Sequence, residues 1–443
     1  MEINVLDYIQ NRNFNGLKQR LAPLQPVDIA EILEELDSRN LLIVFRMLPK
    51  ETAAGVFTHL SSKQQEVLSL LSGDEELRQI IDELFFDDMI DYLEEMPANV
   101  VKKILKNAPE AERKLINQFL KYPEDSAGSL MTIEFVDLKK QMTVKDALEH
   151  VRYTGTNKET IYTCYVIDQF RRLEGIISLK DLVLAPANTI VGDIMDTNFI
   201  SVHTHEDQEE IAETFKRYDL LSLPVVDMES RLVGIITIDD VVDVIEQENT
   251  EDFQKMAALQ PSEEDYLDTG VFPLARQRII WLLVLMISAT FTGGIIQKFQ
   301  NSLQTVVALT FFIPMLMDTG GNAGAQTSTL IIRGLALGKL EIRNIFSVIW
   351  KEFRVGILVG AILALFNFVR IVIQGFPVSV AATVSITLLI TVILAKIIGS
   401  ILPLIAKGLK LDPAIMASPI ITTIVDALAL ITYFNLATWI LGI

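Results

Sequence analysis

The chain has 443 residues, half of them apolar, and a formal net charge of −19. Of its 38 basic and 57 acidic residues, 12 and 5 fall in 271–443, leaving 26 and 52 in 1–270, so the two parts carry +7 and −26. An acidic field of that size repels phosphate backbones and attracts cations, which argues against a nucleic-acid partner, and the single cysteine, Cys164, excludes an intrachain disulfide or a cysteine-built metal site.

The opening residues Met1-Glu-Ile-Asn-Val-Leu-Asp7 show no basic stretch followed by an apolar run, so the acidic part is expected to stay in the cytosol. Residues 1–125 carry a hidden period. Leu36, Leu48, Leu60, Leu84, Met96, Ala108 and Leu120 fall on a 12-residue grid, with Ser72 the polar exception. The next grid positions, Pro49, Ser61, Gly73, Phe85, Pro97 and Pro109, are mostly turn or helix-start residues. Short helices punctuated at a fixed interval predict a small α-solenoid, because such units gain stability only by stacking.

Residues 126–245 repeat once. Gly128-Ser-Leu-Met131 returns as Gly192-Asp-Ile-Met195, and Leu173-Glu-Gly-Ile-Ile-Ser-Leu-Lys-Asp181 as Leu232-Val-Gly-Ile-Ile-Thr-Ile-Asp-Asp240. Each copy reads as helix, apolar strand, turn, strand and helix, and this doubled pattern resembles a tandem pair of CBS domains. A linking helix is expected over 239–262, with a break at Pro261-Ser-Glu-Glu-Asp265.

Residues 271–443 predict five membrane helices, at about 279–296, 303–332, 355–373, 378–406 and 413–442. Arg276, Arg278, Arg333, Lys339, Arg343, Lys351, Arg354, Lys407 and Lys410 crowd one side of these spans, which places the C-terminus outside by the positive-inside rule. The fold class expected is therefore a multidomain, multi-pass plasma (inner) membrane protein. It joins an α-solenoid, an α/β tandem pair, a linking (plug) helix and an all-α membrane domain.

Asp426 sits in the middle of the last span, where a carboxylate costs several kcal/mol unless water, an ion or a partner helix meets it. One carboxylate cannot dehydrate Mg²⁺, but two copies at a dimer axis could neutralise the hydrated ion. Asp412, at the cytosolic start of the same helix, reads either as a cap or as a second charge at the pore mouth. In the second span, Pro314, Gly320, Gly321 and Gly324 predict irregular backbone beside a pore or, alternatively, close helix packing. Asn322 and Gln326, four apart, could share a face there.

In the acidic part, Asp87 and Asp91 share a helix face and repel, with Asp88 adjacent. Asp240 and Asp243 are three apart; Glu248, Glu251 and Asp252 continue along the linking helix; Glu209 and Asp219 flank the helix before it. Divalent ions bridging such groups would clamp domains together when bound and release them when lost. Ser178…Asp181 and Thr237…Asp240 fit the [ST]-x-x-D ribose contact by which CBS pairs hold adenine nucleotides, so ATP is a candidate ligand.

The residues Pro314…Gly320-Gly-Asn-Ala-Gly-Ala-Gln326, then Leu411-Asp-Pro-Ala414 and Pro419…Asp426, resemble the MgtE-type magnesium channel family, and the domain order agrees along essentially the whole chain. The resemblance implies a homodimer in the bilayer, Asp426 as selectivity ligand, and Asn322 and Ala417–Ser418 near the pore. It also implies Asp87, Asp91, Glu209, Asp219, Asp240, Asp243 and Glu251 as regulatory Mg²⁺ ligands. The chain departs from the family at Gly55, where Glu is common, and at Ser418, where Asn is frequent. Competing readings are an ion-coupled transporter of divalent cations such as Co²⁺ or Mn²⁺, with Lys396 and Asp318 as the ionisable groups, or a non-conducting membrane-anchored CBS sensor. No enzyme is expected: His59, His150, His203 and His205 form no HExxH motif, and there is no Walker A loop or GxSxG.

Overall fold

The computed structural model describes residues 4–262, 266, 269–416 and 418–442. It divides into two compact units, Met1–Ile245 and Glu246–Ile443.

In the first unit, eight helices begin at Pro26, Ser38, Lys50, Ser62, Asp74, Phe86, Ala98 and Glu110, one every 12 residues. The residue before each start is extended backbone that ends the preceding turn: Pro49, Pro97 and Pro109 cannot continue a helix, and the Asp37 carboxylate accepts from the amides of Arg39 and Asn40 at 3.0 and 2.9 Å. Each of several helices packs on the one two places along, Pro26–Glu34 on Lys50–Thr58 and Lys50–Thr58 on Asp74–Ile81. The apolar grid faces this shared core, where Phe57 meets Phe45 and Tyr92 edge to face at 6.2 and 5.0 Å. Ser72, the polar grid position, is buried, and its carbonyl and that of Ser69 accept from the Lys103 ammonium at 2.9 and 3.1 Å.

The repeat forms two three-stranded sheets: Val136–Leu138, Thr163–Ile167 and Leu173–Ser178, then Val202–His203, Ser222–Val226 and Leu232–Thr237. In each sheet the first strand runs parallel to the second and the second antiparallel to the third. The halves exchange backbone. Thr132 of the first copy bridges Ile235 of the second, and Asp196 of the second bridges Ile176 of the first. Gly234 and Gly175 make these approaches possible, since a Cβ there would lie 2.7 Å from the Thr132 carbonyl oxygen or 2.9 Å from that of Asp196.

The second unit holds four helices long and apolar enough to cross a membrane among the described residues: Val271–Lys298, Ile342–Ile373, Val378–Gly408 and Pro413–Leu441. The expected span 303–332 is more polar than these four and is not among them, and it is corrected in one respect: it is not interrupted at its glycines. A short helix, Gln300–Thr305, and a 3₁₀ segment, Val307–Phe312, precede one regular α-helix, Ile313–Ala336. Pro314 stands in its first turn, where the missing N–H has no intrahelical partner to lose.

The glycines serve packing, the alternative left open from the sequence. A Cβ on Gly320 would fall 2.7 Å from Thr391 Cγ2, and one on Gly399 would overlap the Gly324 carbonyl, so helix Val378–Gly408 reaches the glycine-rich helix at backbone distance. Tyr433 Oη donates to the Leu309 carbonyl at 3.0 Å inside the same core, tying the last helix, Ser418–Leu441, to the 3₁₀ segment.

Three of these helices share a buried polar contact. Thr327 Oγ1 donates to Glu352 Oε2 at 2.9 Å, Lys396 Nζ donates to Thr327 Oγ1 at 3.3 Å, and Lys396 Nζ lies 3.9 Å from Glu352 Oε2. Lys396→Met should lower stability by about 3–5 kcal/mol, because Glu352 then stays buried without its counter-charge. Adding Glu352→Gln should recover much of the loss. Thermal unfolding of the purified protein in detergent, singles against double, checks this; a double variant no better than Lys396→Met would contradict it.

Candidate metal sites and the membrane carboxylate

Helix Phe86–Glu95 presents Asp87 and Asp88 in its first turn, where a free amide end favours negative charge. Asp87 is only 5 % exposed, and its Oδ1 accepts from the Asp88 amide at 3.0 Å. Two residues of the first CBS copy complete the group. Glu134 Oε2 accepts from the Phe86 amide at 2.9 Å and from Thr132 Oγ1 at 3.1 Å, which fixes it against the start of the helix. Glu159 lies on the loop before strand Thr163–Ile167, and its Oε2 is buried with no hydrogen-bond partner in the described structure. Asp87, Glu134 and Glu159 each offer an oxygen within 4.8 Å of the other two.

The cluster is electrostatically uneasy. Burial, then the charges of Asp240 and Glu159, push Asp87 up to about 9. Glu159 rises to about 8 through burial and then Asp239 and Asp240. Asp240 rises to about 7 through burial, opposed by its bond from Thr237, and Asp88 to about 6 through burial, opposed by His59. Asp91 is pushed to about 8, by desolvation and then by Asp240. Its side chain nevertheless remains exposed, so water screens its charges and the better buried Asp87 carries the argument. Three hard oxygens from two domains, one on a buried residue and two on half-buried ones, make a donor set suited to Mg²⁺ or Ca²⁺.

Glu209 and Asp219 lie at opposite ends of helix Gln208–Tyr218, both exposed; Asp219 is its left-handed C-cap, with φ of 51°. Asp243 is exposed on helix Ile238–Met256, which also carries Glu248 and Asp252, both half-buried. Glu251, farther along, pairs with Lys255 at 2.6 Å. Ser178 Oγ donates to Asp181 at 2.6 Å and Thr237 Oγ1 to Asp240 at 2.8 Å, so both ribose-contact pairs bond internally at helix starts.

In the second unit Asp412 uses both oxygens: Oδ1 accepts from the Ala414 amide at 2.7 Å, and Oδ2 lies 2.7 Å from Lys255 Nζ. That is the geometry of the cap alternative. Asp426 is half-buried on helix Ser418–Leu441, and the charge bearing on it is Asp318 of the glycine-rich helix. These helices cross where Cβ atoms on Gly320, Gly321 and Gly324 would meet Val425, Thr422 and Ile421. Gly321 is therefore buried in packing, whereas Asp318, Asn322 and Gln326 line the opposite, exposed face at four-residue spacing. A polar, exposed stripe on a helix inside a membrane unit must face water or another subunit. Ala417 lies outside the described residues, as does the side chain of Ser418.

Glu134, Glu159 and Lys255 are residues that sequence reasoning missed. For Glu134 a signal existed: the repeat is asymmetric there, with Met131-Thr-Ile-Glu134 against Met195-Asp-Thr-Asn198.

Together these parts define a multidomain membrane protein, with an acidic helical domain and a CBS pair ahead of a helical membrane domain. Three family models match: the MgtE intracellular N domain over residues 24–125, the CBS domain over 127–188 and 191–247, and MgtE, divalent cation transporter, over 313–436. A magnesium transporter MgtE from Thermus thermophilus is 36 % identical over 100 % of this chain and 98 % of its own length. One from Bacillus subtilis is 33 % identical over 98 % and 96 %. The chain belongs to the MgtE family of magnesium transporters. A solved cytosolic domain of the Mg²⁺ channel MgtE in complex with ATP aligns with a TM-score of 0.52 at 37 % identity, covering 54 % of this chain and 98 % of that one. The soluble part of a magnesium transporter aligns at 0.51 and 29 % identity, covering 55 % and 96 %.

Proposed function

We propose that this chain is a Mg²⁺-selective channel of the plasma membrane. It works as a homodimer with the soluble half in the cytosol and the C-terminus outside, and cytosolic Mg²⁺ closes it. The observation that carries this reading is the convergence of Asp87, Glu134 and Glu159 within 4.8 Å, between the helical domain and the CBS pair. Mg²⁺ in that group, with Asp240 and Asp91 beside it, joins the two domains. Its loss leaves like charges to drive them apart. Closure follows if the joined state holds Mg²⁺ more tightly than the separated one, since a ligand shifts an equilibrium only by its difference in affinity. Glu209, Asp219, Asp243, Glu248 and Asp252 are candidates for further sites of the same kind. In the membrane, paired Asp426 side chains of two subunits attract the hydrated ion, with Asn322, Gln326 and the Ala417–Ser418 turn close to its path.

Lys396 supports a channel over an ion-coupled transporter. Glu352 and Thr327 engage it in the protein interior, a structural contact that accounts for a buried lysine without a coupling role. ATP is assigned to the CBS cleft; the ATP complex of the similar cytosolic domain favours it.

The test is Mg²⁺ entry into dye-loaded proteoliposomes with Mg²⁺ varied on the cytosolic face, with and without millimolar ATP. Flux suppressed by cytosolic Mg²⁺ is expected, with ATP shifting the Mg²⁺ needed. Flux indifferent to cytosolic Mg²⁺ would remove the feedback, and a response indifferent to ATP would remove the nucleotide.

A further inference from the structure

Lys255 occupies the space between two carboxylates of the second unit, 2.6 Å from Glu251 Oε1 and 2.7 Å from Asp412 Oδ2. Its own side chain is 21 % exposed and that of Asp412 28 %, so the pair is partly withdrawn from water. Both carboxylates hold the ammonium firmly in its charged form, raising its pKa against the opposing effect of burial. Asp412 is not a loose surface group: its second oxygen caps the Ala414 amide at 2.7 Å, at the 3₁₀ turn Pro413–Met416 that leads into the helix bearing Asp426. The residue after Lys255, Met256, packs against Ile332 and Ala414. About two turns earlier, Asn249 accepts from Arg333 at 3.3 Å. The C-terminal half of the linking helix thus touches the end of the glycine-rich helix and the start of the Asp426 helix, through one apolar contact and two polar ones.

We propose that Lys255 is a built-in latch. Its ammonium fills the position between Glu251 and Asp412 that a bridging divalent ion would otherwise take, and so holds the linking helix against the entrance of the Asp426 helix without Mg²⁺. The proposal rests on the channel reading above for its consequence, closure, but not for the contact itself. A lysine between two acids 2.6 and 2.7 Å away leaves no room for a cation at the same oxygens. The contact therefore contributes a constant, Mg²⁺-independent bias toward the docked helix. Mg²⁺ bound elsewhere adds to that bias, and it sets how much Mg²⁺ closure needs. It also takes Asp412 out of the ion path in the docked state and gives it to regulation.

The full-length protein tests this with Lys255→Gln, Lys255→Arg and the exchanged pair Lys255→Asp with Asp412→Lys. Two measurements are made on each. Hydrogen exchange of the amides in 249–256 reads the contact whether or not ions flow. Mg²⁺ flux in proteoliposomes against cytosolic Mg²⁺ reads its consequence. Lys255→Gln should speed exchange in 249–256 and raise the Mg²⁺ needed for half-closure by about fivefold or more, the low end of ordinary coupling between sites. Lys255→Arg and the exchanged pair should return both toward wild type, which a loss of general packing would not. Exchange unchanged in Lys255→Gln overturns the latch whatever the flux does. Faster exchange with unaltered closure overturns its regulatory role. A wild-type protein that does not close with Mg²⁺ defeats the channel reading instead, and the exchange result still decides the contact.

Discussion

Asp426→Ala should abolish Mg²⁺ entry while leaving the protein folded and the acidic half intact. A divalent ion held near a carboxylate at an effective dielectric constant of about 20 gains roughly 4 kcal/mol per unit charge at 4 Å. Removing that attraction in both subunits of a dimer lowers occupancy of the path by more than about a hundredfold, since each 1.4 kcal/mol is a factor of ten. The side chain is only half-buried, so truncation leaves no large cavity and no orphaned hydrogen-bond partner among those described. Asp426→Glu should retain measurable flux, because charge matters more than reach for a hydrated ion. Asp318→Asn should weaken entry less, since Asp318 acts on the site from the neighbouring helix. Dye-loaded proteoliposomes decide the matter: wild-type entry persisting in Asp426→Ala would remove the pore assignment.

The second large effect is a reversal of pH dependence at the acidic cluster. Asp87 at about 9, Glu159 at about 8 and Asp240 at about 7 all lie well above ordinary carboxylates, chiefly from burial. An acid whose folded pKa is raised binds its proton more tightly folded than unfolded. Its contribution is therefore whole below about pH 4, the unfolded pKa, and is lost as pH climbs through the folded values. Without divalent ions, the contact between the helical domain and the CBS pair should loosen steadily from about pH 4 toward about pH 9. Mg²⁺ must expel those protons to bind. Its stabilising effect should consequently be small near pH 6 and large near pH 8. Asp87→Asn with Glu159→Gln should flatten the pH response and remove most of the Mg²⁺ effect. Removing residues 1–125 should leave conduction but relax its inhibition. Thermal unfolding with and without Mg²⁺ at the two pH values, beside flux of the truncated protein, provides the check. Equal Mg²⁺ stabilisation at both pH values would mean that the cluster is not the sensor.

Much of the architecture is legible in the residues because it is periodic. The grid running from Leu36 to Leu120 marks where each solenoid helix ends, and Pro49, Pro97 and Pro109 mark where the next begins. The duplicated Gly-Ile-Ile strand and its following acid fix the tandem pair. The glycine-rich helix misled because glycine and proline weigh against helix in water, whereas here close packing repays their weak propensity and Pro314 falls in the first turn. At the acidic cluster, the spacing of Asp87 and Asp91 drew attention to helix Phe86–Glu95. It could not reveal Glu134 and Glu159, which come from a different domain and meet Asp87 only when the chain folds. Lys255 was hidden for the same reason: its partner Asp412 lies far along the chain, and a lysine among acids on a helix reads as a local i,i+4 pair, which it also is.

The regular start of a helix every 12 residues from Pro26 to Glu110 has a bearing on how such a protein can change. Several of these helices pack on the one two places along, so two consecutive helices form one repeating unit. Adding or deleting one shifts everything downstream by a whole step, without creating a contact of a new type. The length of the solenoid is thus free to drift in evolution in discrete steps. Such drift would leave the helix that carries Asp87 in register with the CBS pair as long as the units between Phe86 and Glu134 are kept. The group of Asp87, Glu134 and Glu159 would then be insulated from such changes on the far side of that helix by counting alone.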